Sequence, residues 1–200
     1  MALVRTNRDQ RTSAALFGTG GFASNAFTPS NNSLLVVIAF FIDQADSGSE
    51  GTSLTITDSV GLTWTSRAAT TGSPAWSYGL RIWTAPVTTG VSMTVTIDCG
   101  AVSVDIYRVE VYDYTGYDTT TPVGATATGT DADGDGAASI TLSAAPATTS
   151  EVIASALTVL NADVNIGITN GAGFTELFDA DMSAGFGWSE TEVRSGSTST

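Results

Sequence analysis

Apolar and polar residues alternate with a period of two along most of the chain from Phe22 onward. Clusters of Gly, Asp, Asn, Pro and Ser interrupt the alternation roughly every 8–12 residues, which predicts short β-strands joined by turns and almost no helix. The run Leu34 to Ile42 is apolar on both phases, as expected of a central strand covered on both faces. Leu54 and Ile56, then Leu62 and Trp64, share one phase, and Asp58-Ser59-Val60-Gly61 between them reads as the turn of a hairpin. Leu80 and Ile82 continue the alternation. Met93 to Cys99 also alternates, with Thr94 and Thr96 facing out and Cys99 in phase with the core.

Val102 to Tyr114 changes phase partway. Val102, Val104 and Ile106 lie on even positions, Val109 and Val111 on odd ones, with Arg108 between. A β-bulge produces such a slip, and so does a strand buried on both sides. Further strands are expected over Gly124 to Thr128, Ala138 to Leu142 and Val152 to Leu160, with weaker ones at Ile166 and Ile168, Phe174 to Phe178 and Phe186 to Val193. The expected fold is all-β: an antiparallel two-sheet β-sandwich of jelly-roll type with an N-terminal extended arm.

The ionisable groups narrow the chemistry. Among 200 residues, twenty carboxylates stand against seven arginines, with no lysine and no histidine, for a net charge of −13. Ser-His and Cys-His pairs, imidazole ligands, Schiff bases and a phosphate-loop lysine are therefore all excluded. So acidic a chain is poorly suited to nucleic acid, whose binders replace phosphate counterions with cations. One cysteine permits no intrachain disulfide. The longest apolar run, Leu34 to Ile42, is too short to span a membrane, and the first residues show no signal-peptide pattern. Synthesis in a cytoplasm without a secretion signal is the expectation.

Charge is unevenly placed. Residues 1–11 carry three arginines against one aspartate, +2, leaving −15 on the remainder. The segment 1–21 reads as a basic arm (Arg5, Arg8, Arg11) ending in a glycine hinge at Gly18 to Gly21, followed by a sandwich domain over 22–193 and a polar tail over 194–200. The arm either docks on an acidic partner or is a frayed terminus.

Three groupings could carry chemistry. Asp131, Asp133 and Asp135, with Gly136 at the sixth place, match the first half of a calcium-binding loop, but Leu142 stands where the bidentate glutamate belongs. The choice there lies between weakly held calcium and an acidic solvated turn, and no other cofactor is expected. Trp76, in a loop, and Trp83, out of phase with Leu80 and Ile82, are candidate exposed platforms for stacking sugars, set against packing at an interface. Asp98, Asp105, Glu110 and Asp113 lie on or at the ends of central strands, where paired carboxylates could in principle hydrolyse glycosides. No spacing indicates such a pair, so an enzyme is not expected.

From Ala26 to Thr130 the chain resembles virion proteins of tailed bacteriophages. The marks are Phe27-Thr28-Pro29 before Leu34-Leu35-Val36-Val37, the segment Ile56 to Trp64, Trp83-Thr84-Ala85-Pro86-Val87-Thr88 with Ser92 to Thr96, and Val111 to Asp118 ahead of Thr121-Pro122-Val123-Gly124. The resemblance implies a β-sandwich subunit of a phage particle, without catalytic residues. It would be a capsid decoration protein held to the major capsid protein or other virion proteins through its arm, or alternatively a tail or fibre module that binds host-surface carbohydrate. Homo-oligomers, trimers among them, are expected by analogy; nucleic acid and membrane are not expected as partners.

Overall fold

The computed structural model describes residues 2–12, 17–19, 21–43, 54–72, 77–98, 103–130, 139–159, 168–169, 171–182 and 187–196. Among them are thirteen strands and no helix. They are β1 (Val4–Thr12), β2 (Phe17–Thr19), β3 (Phe22–Ala23), β4 (Ser33–Asp43), β5 (Thr55–Asp58), β6 (Thr65–Gly72), β7 (Ser77–Val87), β8 (Val95–Asp98), β9 (Ser103–Val104), β10 (Ile106–Thr115), β11 (Glu151–Val159), β12 (Thr175–Asp181) and β13 (Gly187–Ser195). All pairings are antiparallel.

The apolar run predicted as a central strand is β4, every residue of which is buried. It pairs with β10 on one side and β7 on the other, in a five-stranded sheet of order β1-β10-β4-β7-β6. Side chains alternate across a strand, so β4 feeds two cores. Leu35, Val37, Ala39 and Phe41 pack with Phe22, Trp83, Val95, Ile97, Val109 and Val111. Leu34, Val36, Ile38, Phe40 and Ile42 pack on the opposite face with Leu80, Tyr112 and Met182, joined by the partly buried Ile153, Leu157 and Leu177. The first core lies under the sheet β3-β8-β5 and the second under β11-β13-β12. Three layers thus replace the expected two sheets. Burying a large apolar side chain contributes about 1.5–3 kcal/mol, and a strand apolar on both phases collects that on both faces. At Gly187 the outer layer comes so close that an added Cβ would collide with Ile42 Cδ1.

Several expectations are corrected by the pairings. Asp58 does make a turn: its Oδ1 accepts from the amides of Val60 (2.7 Å) and Gly61 (2.6 Å), and its Oδ2 from the Leu62 amide (2.9 Å) and Trp64 Nε1 (2.8 Å). Gly61 supplies the left-handed conformation, with φ of 83°. Yet β5 pairs with β8 and β6 with β7, so this turn passes the chain between layers and closes no hairpin. The phase change near Arg108 is no bulge of β10, whose register against β4 runs unbroken from Ile106↔Ile42 to Thr115↔Ser33. The strand is buried on both sides, and Val104 belongs to the separate ribbon β2-β9. Residues 124–128 and 139–142 form no strand.

Residues 4–12, read as part of an arm, are an edge strand of the central sheet, in register with β10 from Val4↔Thr115 to Thr12↔Arg108. Both edges of that sheet carry a bulge at an arginine. Arg8 is the extra residue of β1, between Asn7↔Tyr112 and Asp9↔Val111, and Arg67 that of β6, between Ser66↔Trp83 and Ala68↔Ile82. A third bulge falls at Leu177 in β12.

Trp83, a candidate exposed platform set against packing, is 3% accessible. It is out of phase with Leu80 and Ile82 because it faces the other core, not solvent. Trp83→Ala is therefore expected to lower unfolding free energy by about 3–5 kcal/mol, as large-to-small core changes do; a surface platform would show almost no loss in urea titration.

Candidate functional site

The arginines expected to reach a partner are engaged within the chain. Arg5 Nη1 lies 2.5 Å from Glu151 Oε1, which also accepts from Tyr114 Oη at 2.5 Å. Burial opposes the charge on Arg5, but the hydrogen bond and charge of Glu151 outweigh it and raise its pKa. Arg8 donates to Asp113 Oδ2 through Nε (3.1 Å) and Nη2 (2.5 Å), where the Ser30 amide also donates (2.8 Å). Burial pushes Asp113 up, yet hydrogen bonds with Ser33, then Arg8 and Ser30, prevail and hold its pKa below the ordinary value. Arg11 donates to the Ala23 carbonyl and lies 5.1 Å from the Phe22 ring centre. Each contact ties β1 to the body.

Trp83 is closed off, with Arg81 Cζ 5.7 Å from its ring centre and the same arginine donating to the Leu54 carbonyl. Trp76, Cys99, Asp131, Asp133 and Asp135 lie outside the described residues. Asp98 ends β8 and Asp105 stands between β9 and β10. Among the described residues, no group of three or more carboxylate, cysteine or histidine side chains is arranged to hold a metal.

Glu110 and Asp113, the carboxylates for chemistry on β10, are buried, and hydrogen bonds reach both oxygens of Glu110 and Oδ2 of Asp113. Arg108 and Glu110 are fully buried, two residues apart on one face of β10, with Nη2 to Oε1 at 2.6 Å. Arg108 Nη1 also donates to Ser189 Oγ (2.6 Å), while Glu110 accepts from Tyr112 Oη (2.6 Å) and Thr191 Oγ1 (3.1 Å). Gln10 Nε2 donates to the Tyr112 oxygen at 2.8 Å. The guanidinium also lies over aromatic rings, its Cζ 3.5 Å from the Phe178 ring centre and 5.5 Å from that of Phe40. Burial, then the charge of Glu110, pushes the Tyr112 hydroxyl far up. This network bolts β10 to β13 across the second core. It serves packing, since the carboxylate that could do chemistry is saturated.

The other face of β13 is acidic. In register, Glu176 stands opposite Glu192 and Asp179 opposite Glu190, with Asp181 opposite Trp188. Asp179 also accepts from Trp188 Nε1, and Glu192 Oε2 from the Gly171 amide at 2.8 Å. From the neighbouring β11 only Ala156 stands opposite Glu190, so that strand brings no cation to it. Like charges directly across a ladder oppose pairing. Burial, then Glu192, Asp179 and Glu176, pushes the Glu190 carboxyl up to about 7.

Where the ends of β1, β11, β12 and β13 meet, a groove of about 440 Å³ is lined by Arg5, Glu151, Gly173, Thr175, Val193, Arg194 and Ser195. Arg194 Cζ lies 4.8 Å from the Phe174 ring centre, and its Nε is buried without an acceptor. Sequence reading assigned residues 194–200 to a polar tail, whereas Arg194 and Ser195 belong to β13. Only the alternation Glu190, Glu192, Arg194 hinted at a shared face; which strand supplied its neighbours was not visible.

Two outcomes follow. Removing one member of a buried ion pair strands the other, so Glu110→Ala is expected to cost about 3–5 kcal/mol, and the apolar double variant R108M/E110L less than that single change; chemical denaturation of both variants decides it. The raised Glu190 pKa means the folded state holds a proton that the unfolded state has released between about 4.5 and 7. That contribution to stability is full below this window and falls as pH rises through it, so melting scans should show Glu190→Gln flattening the decline relative to the parent chain. No protein-family model, no curated protein and no solved structure matches this chain.

Proposed function

We propose that the chain is a structural protein of a tailed-phage particle, a capsid decoration subunit without catalytic activity. The observation that carries the reading is where the residues of the phage-like pattern fall. Phe27 bridges Met93, and Phe27, Leu35, Val37, Trp83, Val87, Met93, Val95 and Val111 fill one core, with Leu62 and Trp64 packed against it. The resemblance therefore follows one continuous piece of architecture, the central sheet and the layer over it. A jelly-roll-type sandwich is the frame that resemblance implies, with the third layer as this chain's addition.

Internal pairing of charge supports a structural role. Arg5, Arg8 and Arg108 are each paired within the chain, which suits a subunit that must hold its shape on a crowded surface. Attachment to the major capsid protein then runs through the N-terminal edge strand as part of the body, and assembly into a homo-oligomer completes the contact. The alternative, a tail or fibre module for host carbohydrate, draws on the groove beside Arg5 and Arg194, since Trp83 is buried.

Immunogold labelling with antibody to the purified chain, on intact particles of a phage carrying its gene, tests the reading. Dense label over the head is expected. Label confined to the tail would transfer the role to host binding, and no label on any particle would overturn the virion reading.

A further inference from the structure

The groove between the ends of β1, β11, β12 and β13 has more donors than the chain satisfies. Arg194 forms no ion pair among the described residues, although six other arginines each find a carboxylate, carbonyl or hydroxyl acceptor. The carboxylate two residues before it, Glu192, accepts from the Gly171 amide instead. Phe174 lies against the guanidinium, its ring centre 4.8 Å from Cζ, and the buried Nε is closed to any ligand, so only the Nη groups of Arg194 are left to meet one. Arg5, also in the lining, donates to Glu151 through Nη1. Arg5 and Tyr114 both donate to Glu151 Oε1, which leaves Oε2 without a donor among the described residues.

We propose that this groove binds a carboxylate-bearing saccharide, with the carboxylate on Arg194 and Arg5 and the sugar hydroxyls on Thr175, Ser195 and Glu151 Oε2. A guanidinium fork matches a planar carboxylate in two parallel hydrogen bonds. In a chain of net charge −13, with Glu151 in the lining and Glu192 beside it, a singly charged carboxylate is accommodated at lower electrostatic cost than a doubly charged phosphate. Val193 is the one large apolar side chain in the lining, which fits a hydroxylated ligand better than an apolar one. The volume of about 440 Å³ lies within the ~300–1,000 Å³ of small-molecule sites. The inference concerns the groove alone and holds whether the chain sits on a phage head or tail.

Titration of the full chain with galacturonate and its trimer, followed by calorimetry and by shifts of backbone amide resonances, tests it. Saturable binding with shifts at residues 173–175 and 193–195 is expected, weakened at least tenfold in Arg194→Gln and less in Arg194→Lys, which keeps the charge but loses the fork. Neutral galactose and inorganic phosphate are expected to bind at least tenfold more weakly than the uronate. If Arg194→Gln melts early, the lysine variant and the galactose comparison still decide the question. Absence of uronate binding, equal binding by Arg194→Gln in its folded form, or equal binding of phosphate or of a glutamate-containing peptide would each overturn the proposal.

Discussion

A strand with no polar face cannot lie at the surface of a water-soluble sheet, and β4 imposes that constraint on everything around it. Its buried residues present apolar side chains in both directions, so the sheet that contains it needs cover above and below. The β3-β8-β5 sheet meets one half of that demand and β11-β13-β12 the other. Chain order follows: the strands before Thr115 build the central sheet and its first cover, and the C-terminal strands return over the face still open. Gly187 opposite Ile42 and the Arg108 network are the means by which this second cover is seated.

Much of the plan was legible where a local signal had one meaning. The period of two gave the all-β class and located β8, apolar runs located β4 and β11, and the Asp58 turn formed, though not within a hairpin, because its carboxylate satisfies neighbouring amides whatever the flanking strands do. Readings failed where phase was taken for exposure. In a sheet with one wet face, a residue out of phase with the apolar positions points to solvent; in a sheet covered twice it points to the other core, and Trp83 is such a residue. The same rule reinterprets Arg108 and Glu110. Opposite charges two apart in an otherwise apolar strand lie on one face and can reach each other, so their spacing signalled an internal pair more than a catalytic one.

The candidate groove was less accessible to sequence than the fold, because its lining comes from four strand ends brought together only by tertiary packing. Arg5 and Arg194 stand near opposite ends of the chain, and nothing local marks them as neighbours. The acidic ladder has a similar origin. Glu176 and Glu192 face one another only through the register that the bulge at Leu177 sets, and a bulge of one residue left no clear trace in a segment this polar.

The arginine bulges on both flanks of the central sheet bear on how copies of this chain can meet. An open strand edge invites further strands, and bulges and charged side chains on the edge discourage that addition. Arg8 and Arg67 interrupt the two edges where a straight ladder would otherwise be offered, so neighbouring copies packed at high density are turned away from growing a shared sheet. With both edges so interrupted, extension of the central sheet from one copy into the next is disfavoured, and each molecule keeps its sheet to itself.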